Sequence, residues 1–441
     1  MKKIRIFTLA LLASACLINT ACTDGFEEIN TDPNRTAAAT PETLLAPALF
    51  DVVNRNLNRA LRLNNELMQV HVTVVNSDEI HRYVIRPSES DYMWNNWYLQ
   101  RTNFLDMYQS ATVTNHTSYM GIALICDVWV TSLITDTFGD VPYSEANRGR
   151  ENIYQPKFDK QQEIYTDLFR KLEEANELLK ANLAIAEDQK VLDPLYNGDV
   201  AKWRKFGNSL YLRLLMRVSG KSEPIANGMT PTEKMADILT ANNSNYPVFA
   251  NNEESAILRF TTTPPYTSEF YNFRDYDFNG SHGFSEFFMN TLNVWNDPRR
   301  TKWATLAGGT YVGIPSGYPV GQVPERQSSY LPALKNEPLL GNIMNYAELQ
   351  FILAEAALKG IIAGEPKTYY EKGVENALTM WGVAVPAGHL TNEEIRWEAN
   401  ASQEAQMEKI MLQKYYTLFF TDFQQWYEHR RTGHLVHLDP S

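Results

Sequence analysis

The chain has 441 residues and a formal net charge of −12 at pH 7. This length allows a large hydrophobic core, and the acidic balance argues against nucleic acid or anionic lipid as the ligand, because both are negatively charged. Aromatic residues are unusually frequent, with 9 Trp, 23 Tyr and 20 Phe, so some of them are candidates for contacts with a partner.

Residues 1–21 have the pattern of a lipoprotein signal peptide. Three basic residues precede an apolar run over residues 6–18, and small residues then precede Cys22. This order is typical of a secretory signal, and the run is shorter than the about 20 residues that span a bilayer. We expect cleavage before Cys22 and acylation of this residue, although Asn19 stands where a lipobox usually has an aliphatic residue. Cys16 is the alternative site, with a shorter apolar segment.

The mature chain is predicted to comprise a lipidated tether over residues 22–43 and a single body over residues 44–441. With Cys22 acylated, only Cys126 remains, so no internal disulfide can form. The apolar neighbours of Cys126 predict a buried and unreactive thiol.

Residues 44–244 have a helical pattern. Asp159 is a candidate N-cap for a helix with the apolar stripe Ile164, Leu168, Leu172, Ala175 and Leu179. After a turn at Asn197-Gly198, Asp199 can cap a second helix with the stripe Trp203, Phe206, Leu210, Leu214 and Val218. Two amphipathic helices joined by a short loop predict an αα-hairpin.

A second helical part is predicted over residues 336–441. Asn345 opens one helix, which Gly360 ends in a left-handed conformation, and residues 367–381 form its partner. Small residues such as Gly373 allow the close helix approach of tetratricopeptide-type stacking, although no clean 34-residue period is present. A last helix is predicted over residues 403–429.

Between the helical parts, residues 245–335 are rich in Pro, Gly, Asn and aromatic residues, and strand signals such as Ala256–Phe260 are short. This composition predicts long loops with small strands. Ordered loops of this length are usually functional.

Several motifs together resemble the SusD/RagB family, most of all its second SusD-like subgroup. They are Cys22 with residues 28–34 (Glu-Ile-Asn-Thr-Asp-Pro-Asn), 138–143 (Phe-Gly-Asp-Val-Pro-Tyr), 154–159, 193–199, 203–213, Asn296-Asp297-Pro298-Arg299, Glu348 with Ala354-Glu355-Ala356, and Arg430-Arg431-Thr432-Gly433. The matches are collinear over nearly the whole chain.

The resemblance implies a mainly α fold, with tetratricopeptide-like helical hairpins and an irregular, loop-rich part that contains short strands and binds the ligand. It also implies an outer-membrane lipoprotein on the cell surface that captures a nutrient, usually an oligosaccharide and sometimes a peptide. The implied partner is a TonB-dependent barrel of the SusC type. The ligand residues of such proteins lie in variable loops, so none transfers by motif.

The first candidate ligand site is the segment over residues 83–98, with Tyr83, Trp94, Asn96 and Trp97. Sugars present apolar C–H faces beside hydroxyl groups, so a binding site needs flat aromatic rings next to polar side chains. The alternative is that the tryptophans of this segment face the core or the barrel partner from a helix.

The second candidate site is the loop-rich part, where nine aromatic residues occur within residues 264–288. The tyrosines are favoured over the phenylalanines because each has a polar tip: Tyr266, Tyr271, Tyr276, Tyr311 and Tyr318. The alternative is a small satellite core beneath the loops, to which the phenylalanines are assigned.

We expect no cofactor, although Asp275 and Asp277, near Asn279, could hold a structural Ca²⁺ ion. The C-terminal histidines His429, His434 and His437 lack a metal-ligand framework. Common catalytic motifs such as His-Glu-x-x-His are absent from the sequence, so a binding protein is predicted. A surface glycoside hydrolase and an adhesive structural protein remain the alternatives, because 52 acidic residues offer many carboxylate pairs.

Overall fold

The computed structural model describes residues 39–77 and 80–434. The predicted signal peptide, Cys22, most of the tether and His437 lie outside these residues. The described body is mainly helical, with a few strands of two or three residues, so the predicted fold class is confirmed.

The helices that precede residue 245 belong to the first predicted helical part: α1 (Pro41–Arg59), α2 (Asn65–Leu67), α3 (Pro87–Val113), α4 (Thr117–Phe138), α5 (Gln161–Lys180), α6 (Glu187–Lys190), α7 (Val200–Arg217) and α8 (Pro231–Ala236). The later helices are α9 (Asp275–Asn279), α10 (Glu286–Val294), α11 (Arg300–Trp303), α12 (Tyr346–Leu358), α13 (Pro366–Met380), α14 (Gln403–Thr417) and α15 (Gln424–Thr432).

Within residues 39–77 and 80–434, six strands form three small antiparallel pairs: β1 (His71–Thr73) with β5 (His282–Phe284), β2 (Val141–Pro142) with β3 (Phe158–Asp159), and β4 (Ala256–Ile257) with β6 (Asn342–Met344). The pairing of β1 with β5 joins the first helical part to the loop-rich part.

Neighbouring helices pack as hairpins, α3 against α4, α5 against α7, and α12 against α13. A Cβ atom added at Gly373 on α13 would lie 2.7 Å from the Phe351 ring on α12, so glycine is required for this close approach. The predicted caps at Asp199 and Asn345 are confirmed, since their side chains accept hydrogen bonds from Lys202 N at 3.0 Å and Glu348 N at 2.8 Å.

The core includes α4, whose most apolar window has a mean hydropathy of 1.5 and is 89% buried in the protein. This helix is long and apolar enough to span a membrane, but its burial assigns it to the core of the body. Cys126 lies on it, fully buried, and burial raises the pKa of its thiol, as predicted for an unreactive residue.

Several residues of the family-like motifs stabilise the fold. Arg213 on α7 makes a bidentate, buried ion pair with Glu348 on α12, in which Nε donates to Oε1 at 2.7 Å and Nη2 to Oε2 at 2.6 Å. Arg431 binds Glu355 in the same way at 2.7 Å. The first of these buried pairs joins the two helical parts of the body, and the second joins α12 to α15 within the later part.

The prediction of Asp159 as the N-cap of α5 is wrong. The Asp159 carboxylate accepts hydrogen bonds from the backbone N–H groups of Tyr143 and Ser144, in the turn that β3 supports. The cap residue is Lys160, and Asp140 accepts from the Gln161 N–H at 2.9 Å. The connection from α5 to α7 is also longer than predicted, because it contains α6.

The predicted last helix is broken between α14 and α15. Phe420 and Asp422 have φ angles of 59° and 38°, which a continuous helix does not allow. Phe419, Phe420 and Phe423, at and beside this break, are all buried in the core. The loop-rich part likewise contains three helices that its composition did not indicate, α9, α10 and α11, of which α10 is the longest.

Candidate functional site

A cleft of about 310 Å³ lies where β1, α9 and the loop after β1 meet. Its walls are formed by Leu61, Arg62, Glu66, Thr73, Val75, Ser77, Ile80, Glu89, Asp277, Ser281 and His282. Three of the predicted ligand residues, Tyr83, Tyr276 and Tyr318, lie on or beside the segments that form these walls, and we call this site the tyrosine cleft.

Tyr318 holds one wall of the cleft in place. Its hydroxyl donates to the Thr73 carbonyl oxygen at 2.6 Å, at the end of β1. The ring stacks on His81 with centroids 5.7 Å apart, and the Arg82 guanidinium lies 5.7 Å from the ring centroid. With these partners at the hydroxyl and at the ring, Tyr318 is half-buried and shapes the cleft.

Tyr83 and Tyr276 present their side chains to solvent. Tyr276 follows the first residue of α9, next to Asp277 of the cleft wall, and is 73% exposed. Tyr83 follows the turn over residues 80–82, adopts a φ angle of 58° and is 72% exposed. Val84 and Ile85 beside it are exposed as well. An exposed aromatic and aliphatic rim of this kind is typical of a binding surface.

The walls carry charges of both signs. Arg274 makes a bidentate bond to Asp277 at 2.7 Å, and this contact lowers the pKa of the carboxyl group. Glu89 is paired with Arg59 of α1. Ser77 and Ser281 also belong to the walls and add hydroxyl groups, so the cleft offers both donors and acceptors.

One histidine, His282, belongs to the wall of the cleft, and the ring of the buried His71 lies behind it with centroids 4.3 Å apart. Burial lowers the pKa of His71 and of His282 to about 3, because the charged form loses its hydration. Both imidazoles are therefore neutral at neutral pH. Together with Glu66, they form a group whose ligand atoms lie within 4.8 Å of one another.

This group was not predicted from the sequence, where the C-terminal histidines and the carboxylates Asp275 and Asp277 were the candidate metal ligands. His71 and His282 are far apart in the sequence, and only the pairing of β1 with β5 brings them together. Of the C-terminal residues, His429 bonds the His434 carbonyl group through Nδ1 at 2.8 Å, and His434 Nδ1 lies 2.9 Å from Glu408.

The prediction of Asn96 and Trp97 as ligand residues is wrong. Trp97 is 1% exposed on the inner face of α3, and its Nε1 donates to Asn56 of α1 at 2.9 Å. Asn96 is also buried and donates to Asp51. Trp94 is half-buried and packs edge-on against Phe138 with ring centroids 5.2 Å apart. The tryptophans of this segment therefore pack toward the core from a helix, which was the alternative to a ligand site.

Three further predicted tyrosines are half-buried at other places of the loop-rich part. Tyr266 packs edge-on against Phe50 with centroids 5.7 Å apart. The Arg300 guanidinium lies 5.2 Å from the centroid of Tyr311. Tyr271 has no contact that joins it to the cleft walls among the described residues, and all three stay predictions.

The residues of the predicted Ca²⁺ site bind other parts of the protein. Lys335 donates to Asp275 at 2.7 Å, Arg274 to Asp277, and the Asn279 amide donates to the Tyr330 carbonyl group at 3.0 Å. Ca²⁺ would have to displace an ion pair at each carboxylate, and the Ca²⁺ site stays a prediction.

Two larger clefts, of about 450 and 560 Å³, lie in the helical part. Ion pairs such as those of Arg217 with Asp136 and of Lys171 with Asp127 form much of their walls, and their tyrosines are buried. The tyrosine cleft is therefore the better candidate for ligand binding, because its aromatic rings face solvent.

Comparisons with known proteins agree with this architecture. A SusD homologue from Bacteroides fragilis has a TM-score of 0.74 at 22% identity, over 90% of this chain and 88% of that one. A chitin-binding SusD homologue from Flavobacterium johnsoniae has a TM-score of 0.72 at 20% identity, over 88% and 85% of the two chains. Another chitin-binding protein has a TM-score of 0.71 at 26% identity, over 89% and 87%.

No curated protein matches the sequence. The model of the second SusD-like family, described as starch-binding and associating with the outer membrane, matches residues 33–439. Because this match spans most of the chain, the protein belongs to the second SusD-like family of outer-membrane nutrient-binding proteins.

Proposed function

We propose that the protein is a non-enzymatic lipoprotein of the cell surface that captures an extracellular oligosaccharide in the tyrosine cleft. It then delivers this ligand to a TonB-dependent outer-membrane barrel of the SusC type. The observation that carries the proposal is the exposed pair Tyr83 and Tyr276 beside a cleft with polar walls.

The chemistry of the cleft suits a sugar. An exposed tyrosine ring offers a flat apolar face on which the C–H face of a pyranose can stack, and burial of this face is favourable. Asp277, Ser77 and Ser281 can exchange hydrogen bonds with the hydroxyl groups of the same sugar. The cleft volume falls near the lower end of the about 300–1,000 Å³ that is common for small-molecule sites.

The comparisons support a saccharide over a peptide. Two proteins of similar structure are described as chitin-binding, and the family description names starch. The family is described by binding and not by a reaction, which supports a role without catalysis. Acylation of Cys22 would place the protein at the outer membrane with which the family associates.

Isothermal titration calorimetry tests the proposal. The protein is titrated with starch oligosaccharides, chitin oligosaccharides and short peptides, and we expect saturable binding of one saccharide class. Tyr83→Ala and Tyr276→Ala should each weaken binding by about 1 kcal/mol or more, because each removes an aromatic face.

Tyr154→Ala is the matched control. Tyr154 is 75% exposed, and its hydroxyl bonds only the nearby Asn152. This variant should bind like the wild type. Equal losses in all three variants, or binding of peptides alone, would contradict the proposed saccharide site.

Delivery to a barrel is tested separately by purification from detergent extracts of the native membrane. We expect a TonB-dependent barrel to co-purify with the wild-type protein and a Cys22→Ala variant to leave the membrane fraction. Recovery of the membrane-bound protein without any such barrel would refute the transporter partner.

A further inference from the structure

We propose that Glu66, His71 and His282 form a binding site for a divalent transition-metal ion of the zinc class, at the inner wall of the tyrosine cleft. The proposal goes beyond nutrient capture and does not depend on the identity of the nutrient. It rests on the geometry of three side chains, one buried atom without a partner and the arrangement of the surrounding hydrogen bonds.

The pairing of β1 with β5 brings the ligands together. Thr73 stands opposite His282, and His71 stands opposite Phe284. Because alternate residues of a strand share a face, His71 and Thr73 face the same side as His282. Glu66 on α2 then approaches from the chain that leads into β1, and Thr73 Oγ1 donates to its carboxylate.

The spacing of the ligand atoms fits a small ion. His71 Nε2 lies 3.7 Å from Glu66 Oε1, and the imidazole rings of His71 and His282 have centroids 4.3 Å apart. Ligand atoms bound to a tetrahedral Zn²⁺ lie about 3.4 Å from one another, given metal–ligand distances of about 2.0–2.2 Å. Small side-chain rotations therefore suffice to close the three atoms around an ion.

One buried atom of His71, Nε2, lacks a hydrogen-bond partner among the described residues. The His71 side chain is fully buried. Buried polar atoms are nearly always paired, so an orphaned imidazole nitrogen needs an explanation. A metal ion between His71, His282 and Glu66 would satisfy it.

Outer hydrogen bonds orient the rings. His71 Nδ1 lies 2.6 Å from the hydroxyl of the buried Tyr330, and Asn65 Nδ2 also donates to this oxygen at 3.0 Å. When Nδ1 carries the proton and donates it to Tyr330, Nε2 presents its lone pair toward Glu66. His282 Nδ1 lies 3.3 Å from Ser281 Oγ. Such outer contacts are common around metal-binding histidines.

The donor set selects the class of metal. Two imidazole nitrogens and one carboxylate oxygen suit Zn²⁺ and similar transition metals better than Ca²⁺ or Mg²⁺, which prefer oxygen alone. Three protein ligands leave a fourth position open. Since Glu66 and His282 form part of the cleft wall, the proposed metal site adjoins the ligand-binding space.

Calorimetric titration of the chelator-treated protein with ZnCl₂ tests the proposal. We expect one Zn²⁺ per chain, a higher melting temperature with Zn²⁺ than with Ca²⁺ or Mg²⁺, and the visible absorption of tetrahedral Co²⁺ after cobalt addition. Tyr330→Phe keeps the ring but removes the outer hydrogen bond, and should weaken Zn²⁺ binding by about 10–100-fold. His282→Gln and Glu66→Gln each remove a direct ligand and should weaken it further.

His434→Gln is the matched control, because His434 lies beside Glu404 and Glu408 in the other histidine–carboxylate cluster. This variant should bind Zn²⁺ like the wild type. The proposal fails if the wild type binds no Zn²⁺, if binding survives in Glu66→Gln and His282→Gln, or if His434→Gln abolishes it. If the His282→Gln variant does not fold, the cobalt spectrum of the wild type and the Zn²⁺ affinity of Tyr330→Phe test the proposal instead. A wild type without the tetrahedral Co²⁺ absorption, or a Tyr330→Phe variant with wild-type Zn²⁺ affinity, would then contradict it. None of these outcomes depends on saccharide binding.

Discussion

Helix α3 and the segment over residues 264–288 both combine aromatic residues with polar ones, but they use the aromatic rings differently. On α3, Trp97 points inward and joins the helix to α1. In the loop-rich segment, Phe270, Phe278, Phe284 and Phe288 are buried, whereas Tyr276 faces solvent. The long helix α3 buries Trp97 because of its place on the inner face, whereas the short elements within residues 264–288 bury phenylalanines and expose a tyrosine, whose ring has a polar tip.

The largest expected effect tests this division directly. Trp97→Ala should lower the free energy of unfolding by about 3–5 kcal/mol, because it removes a fully buried indole and leaves a cavity. Tyr276→Ala should change that free energy by less than about 0.5 kcal/mol, since the ring is exposed. Urea unfolding measures both values.

Ligand binding should show the reverse order. At a temperature where the Trp97→Ala variant is folded, it should bind the saccharide with the affinity of the wild type. Tyr276→Ala should bind the saccharide more weakly than the wild type. If the Trp97→Ala variant were as stable as the wild type but did not bind the saccharide, the ligand site would lie on α3.

A charged residue of the helical part gives the next largest effect. Burial alone would raise the pKa of Asp127, but Lys171 at 2.6 Å and Arg101 at 2.9 Å lower it from 3.8 to about 2. The folded-state pKa lies below the unfolded one, so the stabilisation is complete above about pH 4 and is lost as the pH falls through about 2. Its size is about 2 kcal/mol, given about 1.4 kcal/mol per pKa unit.

Urea unfolding between pH 6 and pH 2 measures this contribution. Asp127→Asn should be less stable than the wild type at pH 6, and the difference should shrink below pH 4. Asp277→Asn, at the exposed rim, is the control and should follow the wild-type pH profile. A difference between Asp127→Asn and the wild type that stays constant with pH would show that Asp127 is not held ionised by its partners.

The smallest effect concerns the cleft wall. Tyr318→Phe removes the hydroxyl that bonds the Thr73 carbonyl group, and should cost about 0.5–1.5 kcal/mol of stability. Tyr154→Phe, whose hydroxyl bonds Asn152 at the surface, should cost less than about 0.5 kcal/mol. Thermal unfolding compares the two variants, and equal stability would mean that Tyr318 does not hold the wall.

The sequence was informative where local chemistry decides the structure. The caps Asp199 and Asn345 and the left-handed Gly360 after α12 followed from side-chain and backbone preferences within a few residues. The family motifs made the fold class of the whole body predictable, and residues of these motifs form buried ion pairs in it.

The sequence was uninformative where distant segments meet. The break after α14 needs positive φ angles at Phe420 and Asp422, which no glycine in the sequence marks, and the metal-ligand group depends on the pairing of β1 with β5. Tyr83, Tyr276 and Tyr318 were predicted as ligand residues from their residue type, but their association with one cleft required the fold.

Hydrogen exchange with and without a bound saccharide tests the central claim most directly. The account predicts slower amide exchange in residues 71–77, 80–86, 274–282 and 316–323, which form or flank the tyrosine cleft, and unchanged exchange in α3. Protection confined to α3 or to the clefts of the helical part, with no change around Tyr83 and Tyr276, would contradict it.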